Sequence, residues 1–161
     1  MTEHSASASA DMIAIATLQR TWDTAQPLTP VGFYPRSGFL PAVLEVRDQT
    51  GDWDAAGQTR QLMLSDGGSV IEHTRVVESP SFFAYELTDF QKLFGKIVKY
   101  ARSEWHFTEV DGGTRIEWTY TFYALPGMRW VLAAIVGLLW RPYMAKVLSG
   151  IVAEVERRAN A

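Results

Sequence analysis

The sharpest hydrophobic pattern in the chain lies at residues 114–123. There Ile116, Trp118, Tyr120 and Phe122 fall on one side of an extended chain, and Arg115, Glu117, Thr119 and Thr121 fall on the other. A period of two with one apolar side marks a strand in a half-buried sheet. Shorter β-prone runs precede it at residues 43–47, 58–65, 69–77, 82–88 and 97–109. Asp66, Gly67 and Gly68 supply the positive φ angles of a tight hairpin, and residues 111–113 turn the chain into its last strand. Residues 12–22, rich in β-branched side chains, predict a first strand. Between Asp23 and Pro41 the chain holds four of its seven prolines, which predicts short helical turns, with Thr29 as an N-cap before Pro30.

Past Pro126 and Gly127 the period becomes helical. Met144, Val147, Leu148, Ile151, Val152 and Val155 form an apolar stripe, while Lys146, Glu154, Arg157 and Arg158 lie off it. Pro142 is expected to kink this helix or restart it, because proline removes a donor and crowds the preceding turn. Upstream, residues 130–140 are apolar or glycine throughout, bracketed by Arg129 and Arg141. A run of this length falls short of the roughly 20 residues that span a bilayer, so a buried helix and no transmembrane span are expected. A helix on one sheet needs an apolar stripe only a little wider than about 100°, so its remaining side needs cover. Phe33, Tyr34 and Phe39 are the expected partial cover. Where they leave it bare, the helix would contact a second copy in a homodimer or a membrane surface, beside a cavity entrance flanked by Trp130, Leu138 and Tyr143.

Strands followed by one long helix predict an α+β fold with an antiparallel sheet. A sheet curled around a helix encloses a space that side chains fill or that remains a pocket. The 6 Trp, 6 Tyr and 8 Phe make a lined pocket plausible. At 161 residues one domain is expected, covering 12–161 after a loose Ser/Ala-rich tail at 1–11, which lacks the basic start and apolar core of a secretory signal.

Charge and composition narrow the function. A net charge of -3 gives no basis for binding phosphate backbones, so no nucleic-acid partner is expected. The absence of cysteine excludes disulfides, zinc-thiolate sites and cysteine nucleophiles, and it fits a reducing compartment, with a cytoplasmic location expected. No GxSxG, Walker A loop or Gly-rich dinucleotide fingerprint occurs, and no cofactor is expected. His73 and His106 have no HExxH spacing, and Glu104 shares a strand side with His106 opposite Trp105 and Phe107, so no metal site is expected. His73 is either a general acid/base in the cavity or a histidine of the surface or core.

Four short groupings carry a family resemblance: Gly57-x-x-Arg60; Asp66-Gly67-Gly68 followed by Glu72; Pro80 with Tyr85; and Gly113-Thr114 with Trp118. In order and spacing the chain from about residue 12 resembles the SRPBCC, or START-like helix-grip, superfamily, and within it the polyketide cyclase/dehydrase and lipid-transport group. That resemblance implies a curved seven-stranded antiparallel sheet wrapped around a long C-terminal helix and a cavity, with short helices after strand one. It also implies an arginine and an acid at positions 60 and 72. On adjacent strands of one hairpin, Arg60 and Glu72 form either an exposed ion pair worth under about 1 kcal/mol or a cavity pair. In the cavity Arg60 would anchor a carboxylate or polarise a carbonyl, and a one-residue register shift separates the two cases.

Tyr85, Trp105, Trp118, Tyr120 and Phe122 are core residues or, beside an open pocket, its walls; Tyr143 joins them from the helix. No residue takes a catalytic role from its pattern. The expected function is binding of a hydrophobic small molecule (a lipid, isoprenoid or polyketide-like compound) between sheet and helix. The alternatives are an aromatase/cyclase or dehydratase in the same cavity, and an interaction protein using the 130–140 helix.

Overall fold

Alternation at the end of the chain becomes β7 (Gly113–Ala124), whose apolar side, including Ile116 and Trp118, is wholly buried. The computed structural model describes residues 2–161. Before β7 come β1 (Ser5–Ala14), β2 (Val43–Arg47), β3 (Thr59–Leu64), β4 (Ser69–Glu78), β5 (Phe82–Thr88) and β6 (Val98–Val110). They form one antiparallel sheet in the order β1-β7-β6-β5-β4-β3-β2. From β2 to β7 each strand pairs with the next in sequence; only β1 crosses over, to the far edge beside β7.

The N-terminal segment departs from expectation. Residues 5–11, read as a loose tail, belong to β1, and residues 12–22 do not form one strand. In β1 the serines and alanines alternate with the strand period. Ser7 and Ser9 hydrogen-bond Thr121 and Thr119 at 2.8 and 3.0 Å on the outer side, while Ala8 is buried on the inner side. The C-terminal helix crosses β1 there, and small side chains let its backbone come close. After β1, Thr17 accepts the Arg20 N–H at 3.3 Å and caps α1 (Leu18–Ala25), which buries Thr21, Trp22, Thr24 and Ala25. Gly113 and Thr114 hold this junction. A Cβ on Gly113 would stand 2.1 Å from the Ala14 carbonyl oxygen, and the Thr114 hydroxyl donates to the Ala16 carbonyl at 2.9 Å.

The helical end is a rod of α2 (Arg129–Ile135), a π turn (Val136–Trp140) and α3 (Arg141–Ala159). Pro142 lies inside the rod just after the π turn, where it supplies no backbone donor, and the Arg141 N–H reaches back to the Val136 carbonyl in the wider π register. The expected restart at Pro142 is thus a π turn. The whole rod of 31 residues is long and apolar enough to cross a bilayer by length and composition. Its stripe from Met144 to Val155 is nonetheless buried, occupied by the concave side of the sheet.

Phe33, Tyr34 and Phe39 do not cover the 130–140 segment as expected. Tyr34 packs edge-on against Trp118 and Tyr143, and Phe39 lies 6.3 Å from Phe94 while remaining 49% exposed. The prolines of this stretch direct it across the opening between sheet and rod; Val43 donates to the Tyr34 carbonyl and ties it to β2.

Candidate functional site: a two-lobed cavity with a buried ion pair

Two adjoining spaces lie between the sheet, the rod and the 26–43 segment, sharing Pro30, Tyr34, Glu72 and Tyr85 in their walls. The outer lobe, about 740 Å³ including its open mouth, is walled by Leu62, Val70, Leu87, Phe122 and Trp140 among other apolar side chains. The inner lobe, smaller than the outer, adds Gln26, Trp53, Arg60 and Trp105. An apolar chamber therefore adjoins a polar recess across shared wall residues.

The recess is built by strand register. Arg60 on β3 faces Glu72 on β4 as a direct cross-strand pair, and the Arg60 Nε donates to Glu72 Oε2 at 2.5 Å. Both residues are buried, at 5% and 4% exposure, so the register places the pair inside and not on the surface. The Arg60 guanidinium also lies 4.0 Å from the centroid of the Trp53 ring, a desolvated cation–π contact. Its bond to Glu72 is its one hydrogen bond within the described residues, so its remaining donors stand in the wall of the inner lobe. Trp53 was not anticipated from sequence. It reaches the site at a positive φ of 63° from a loop of Asp and Gly residues, where no periodic pattern marks it as buried.

The phenols are held in their neutral form. Burial pushes Tyr85 up to about 12, with the Glu72 carboxylate adding to the effect. Burial likewise raises Tyr34 and Tyr120 well above the usual phenol value, reinforced by neighbouring tyrosines and Glu72, and it raises Tyr143 to about 12. Each hydroxyl is a hydrogen-bond donor near neutrality and none is a base. Tyr143 already donates to the Pro35 carbonyl at 2.8 Å, pinning the 26–43 segment to the rod.

Of the residues expected to line a pocket, Glu72, Tyr85, Tyr120, Phe122 and Tyr143 face the outer lobe, and Arg60 and Trp105 face the inner one. Trp118 faces neither. Fully buried, it stacks on Trp105 at 4.6 Å, and both indoles donate to the Ser103 hydroxyl, at 2.8 and 3.1 Å. It lies beside Trp105 on the same side of the sheet, as its direct cross-strand partner.

Trp140 and Tyr34 line the outer lobe unforeseen, one within a featureless apolar run and the other among prolines. The Trp140 indole N–H is the one side-chain donor among the described residues that is sealed from solvent and has no partner, whereas the unpaired Nη groups of Arg60 are not sealed. His73 lies on the other side of the sheet, hydrogen-bonded to Thr88 at 2.8 Å, which removes it as a cavity acid or base. His106 stacks on Phe82 on that outer side, and among the described residues no three His, Asp or Glu side chains gather as a metal site.

A family model described as polyketide cyclase/dehydrase and lipid transport matches residues 5–156. The chain belongs to that family. No curated protein matches it in sequence. Among solved structures it is similar to truncated norcoclaurine synthase from Thalictrum flavum, with 12% identity, 96% of each chain covered and a TM-score of 0.71. It is also similar to the Zhui aromatase/cyclase from Streptomyces sp. R1128, with 15% identity, 96% of each chain covered and a TM-score of 0.69. An uncharacterised protein from Rhizobium leguminosarum is similar at 16% identity, with 97% of each chain covered and a TM-score of 0.67. At these identities the likeness is one of fold: the seven-stranded helix-grip of the family, whose members use one architecture for different tasks.

Proposed function

We propose that this member of the polyketide cyclase/dehydrase and lipid-transport family is a soluble, cytoplasmic carrier for an amphipathic small molecule, lipid-, isoprenoid- or polyketide-like. The single observation behind this reading is the polarity gradient across the site: an apolar outer lobe adjoins a recess in whose wall Arg60 keeps donors without a protein partner. The apolar body of the ligand occupies the outer lobe. A carboxylate or carbonyl takes the free donors of Arg60, with Glu72 and Trp53 fixing the guanidinium and the neutral Tyr85 supplying a second donor. Native mass spectrometry of protein purified from its own host tests this directly. A retained apolar compound bearing an acidic or carbonyl group is expected, and it should be lost on Arg60→Met; protein that always emerges empty and binds no fatty acid or polyketide-like probe would refute the carrier.

A second reading, a cyclase or dehydratase, is favoured by one feature: Tyr34, Tyr85 and Glu72 meet where the two lobes join. Such an enzyme would hold a flexible substrate folded and donate protons from its tyrosines. The carrier is preferred because burial keeps the phenols protonated, so that none is a base, and Glu72 is engaged with Arg60. Turnover of a linear poly-β-carbonyl substrate that falls with Tyr85→Phe, while binding persists, would reverse that preference.

A further inference from the structure

The outer side of the 130–140 segment has no cover. Trp130 is 72% exposed, Val131 46% and Leu138 76%, and Ala133, Ala134 and Gly137 between them are exposed as well. No polar side chain interrupts this surface. It is also continuous with the mouth of the cavity. Three segments reach the outer lobe through Leu40, Phe94 and Trp140, and in each the neighbouring residue is apolar and turned to solvent: Phe39 at 49%, Leu93 at 50% and Leu139 at 37%. A mouth ringed by exposed apolar side chains is costly in water and marks a contact surface.

Charge decides the partner. The segments 30–44, 90–98 and 126–153 that carry these residues contain Arg36, Lys92, Lys96, Arg129, Arg141 and Lys146 and no Asp or Glu, with Glu45, Asp89 and Glu154 at their borders and Asp66 near Lys92, in a chain whose net charge is -3. None of these cations forms an ion pair among the described residues; Arg129 instead lies over the Trp130 ring at 4.2 Å. A two-fold dimer through this surface would bring the same cations against themselves. A bilayer with anionic headgroups complements both features, since apolar side chains and Trp enter the interface while Arg and Lys snorkel to phosphates.

We propose that this rim is a peripheral docking surface for anionic lipid bilayers, which the protein meets with its cavity mouth toward the lipid. The proposal rests on the carrier reading only for the purpose of docking; the surface stands on exposure and charge alone. The test is co-sedimentation of the full chain with vesicles of phosphatidylcholine alone and of equimolar phosphatidylcholine and phosphatidylglycerol, at low and high salt, alongside sedimentation velocity for oligomer mass. Salt-sensitive binding to the phosphatidylglycerol vesicles by a monomer is expected. Leu138→Glu should weaken it by about tenfold or more, as should Lys92→Glu combined with Arg141→Glu, with thermal unfolding unchanged. These sites are exposed, and the paired charge variant reads the same surface should Leu138→Glu fold poorly. Absence of vesicle binding overturns the proposal, as does binding indifferent to both variants. A dimer that Leu138→Glu splits, with no vesicle binding by the parent, assigns the surface to a second copy instead. Ligand retention by the same protein is scored separately, so either reading can fail without the other.

Discussion

Arg60 and Glu72 face each other across the β3–β4 ladder with 2.5 Å between Nε and Oε2, almost wholly out of water. Two charges in that position are costly to bury, and removing one strands the other. Arg60→Ala or Glu72→Ala alone is expected to destabilise the protein by about 3–5 kcal/mol, whereas Arg60→Met with Glu72→Leu should recover most of the loss. Chemical denaturation of the singles and the double checks this. Additive losses would show that the two side chains do not act as a pair.

Ser103 is the smallest polar residue on which the inner wall depends. Its hydroxyl accepts from both Trp105 and Trp118, so Ser103→Ala removes one oxygen and leaves two indole donors unpaired. Each unsatisfied buried donor costs about 1–3 kcal/mol, so a loss of about 2 kcal/mol or more is expected. Trp118→Ala should cost about 3–5 kcal/mol by cavity formation. Unfolding midpoints decide both, and a neutral Ser103→Ala would mean that water replaces the hydroxyl.

Alkaline titration should expose the buried phenols. Tyr34, Tyr85, Tyr120 and Tyr143 keep their protons in the folded chain at pH values where the unfolded chain has lost them near 10. The unfolded state then binds fewer protons, so the contribution of these groups to stability is complete below pH 10 and declines as pH rises toward 12 and beyond. Tyrosinate absorbance should therefore rise in two phases, the later one together with loss of the near-ultraviolet dichroism of the folded core. A single phase near pH 10 with the fold intact would contradict the burial of these rings.

Gly113 is required for closeness and not for turn conformation. A methyl group there would meet the Ala14 carbonyl at 2.1 Å, so Gly113→Ala should force β1 away from β7 and cost about 1–3 kcal/mol. At the neighbouring Gly112 the space is open but φ is +82°, and alanine should cost about 1 kcal/mol through backbone strain. Thermal melts of the two variants separate the causes.

The strands from β2 to β7 were legible because each combines local alternation with turn residues, and hairpin neighbours need no distant information to pair. The stripe of α3 was legible for the same reason at a period of 3.6. The tertiary structure alone decided which residues the long-range contacts select. The Ser/Ala run carried the strand period but no bulk, so only the approach of α3 over β1 explains why small residues make an edge strand there. Register set Arg60 and Glu72 inward, a choice that a shift of one residue would invert. Trp53 and Tyr34 came to the cavity from loops, and Trp118, identical in pattern to Tyr120 and Phe122, is covered by its stack on Trp105 and by the edge of Tyr34. Periodicity states which side of a strand is apolar. Whether that side meets a ligand, a helix or a neighbouring indole depends on what the rest of the chain brings against it.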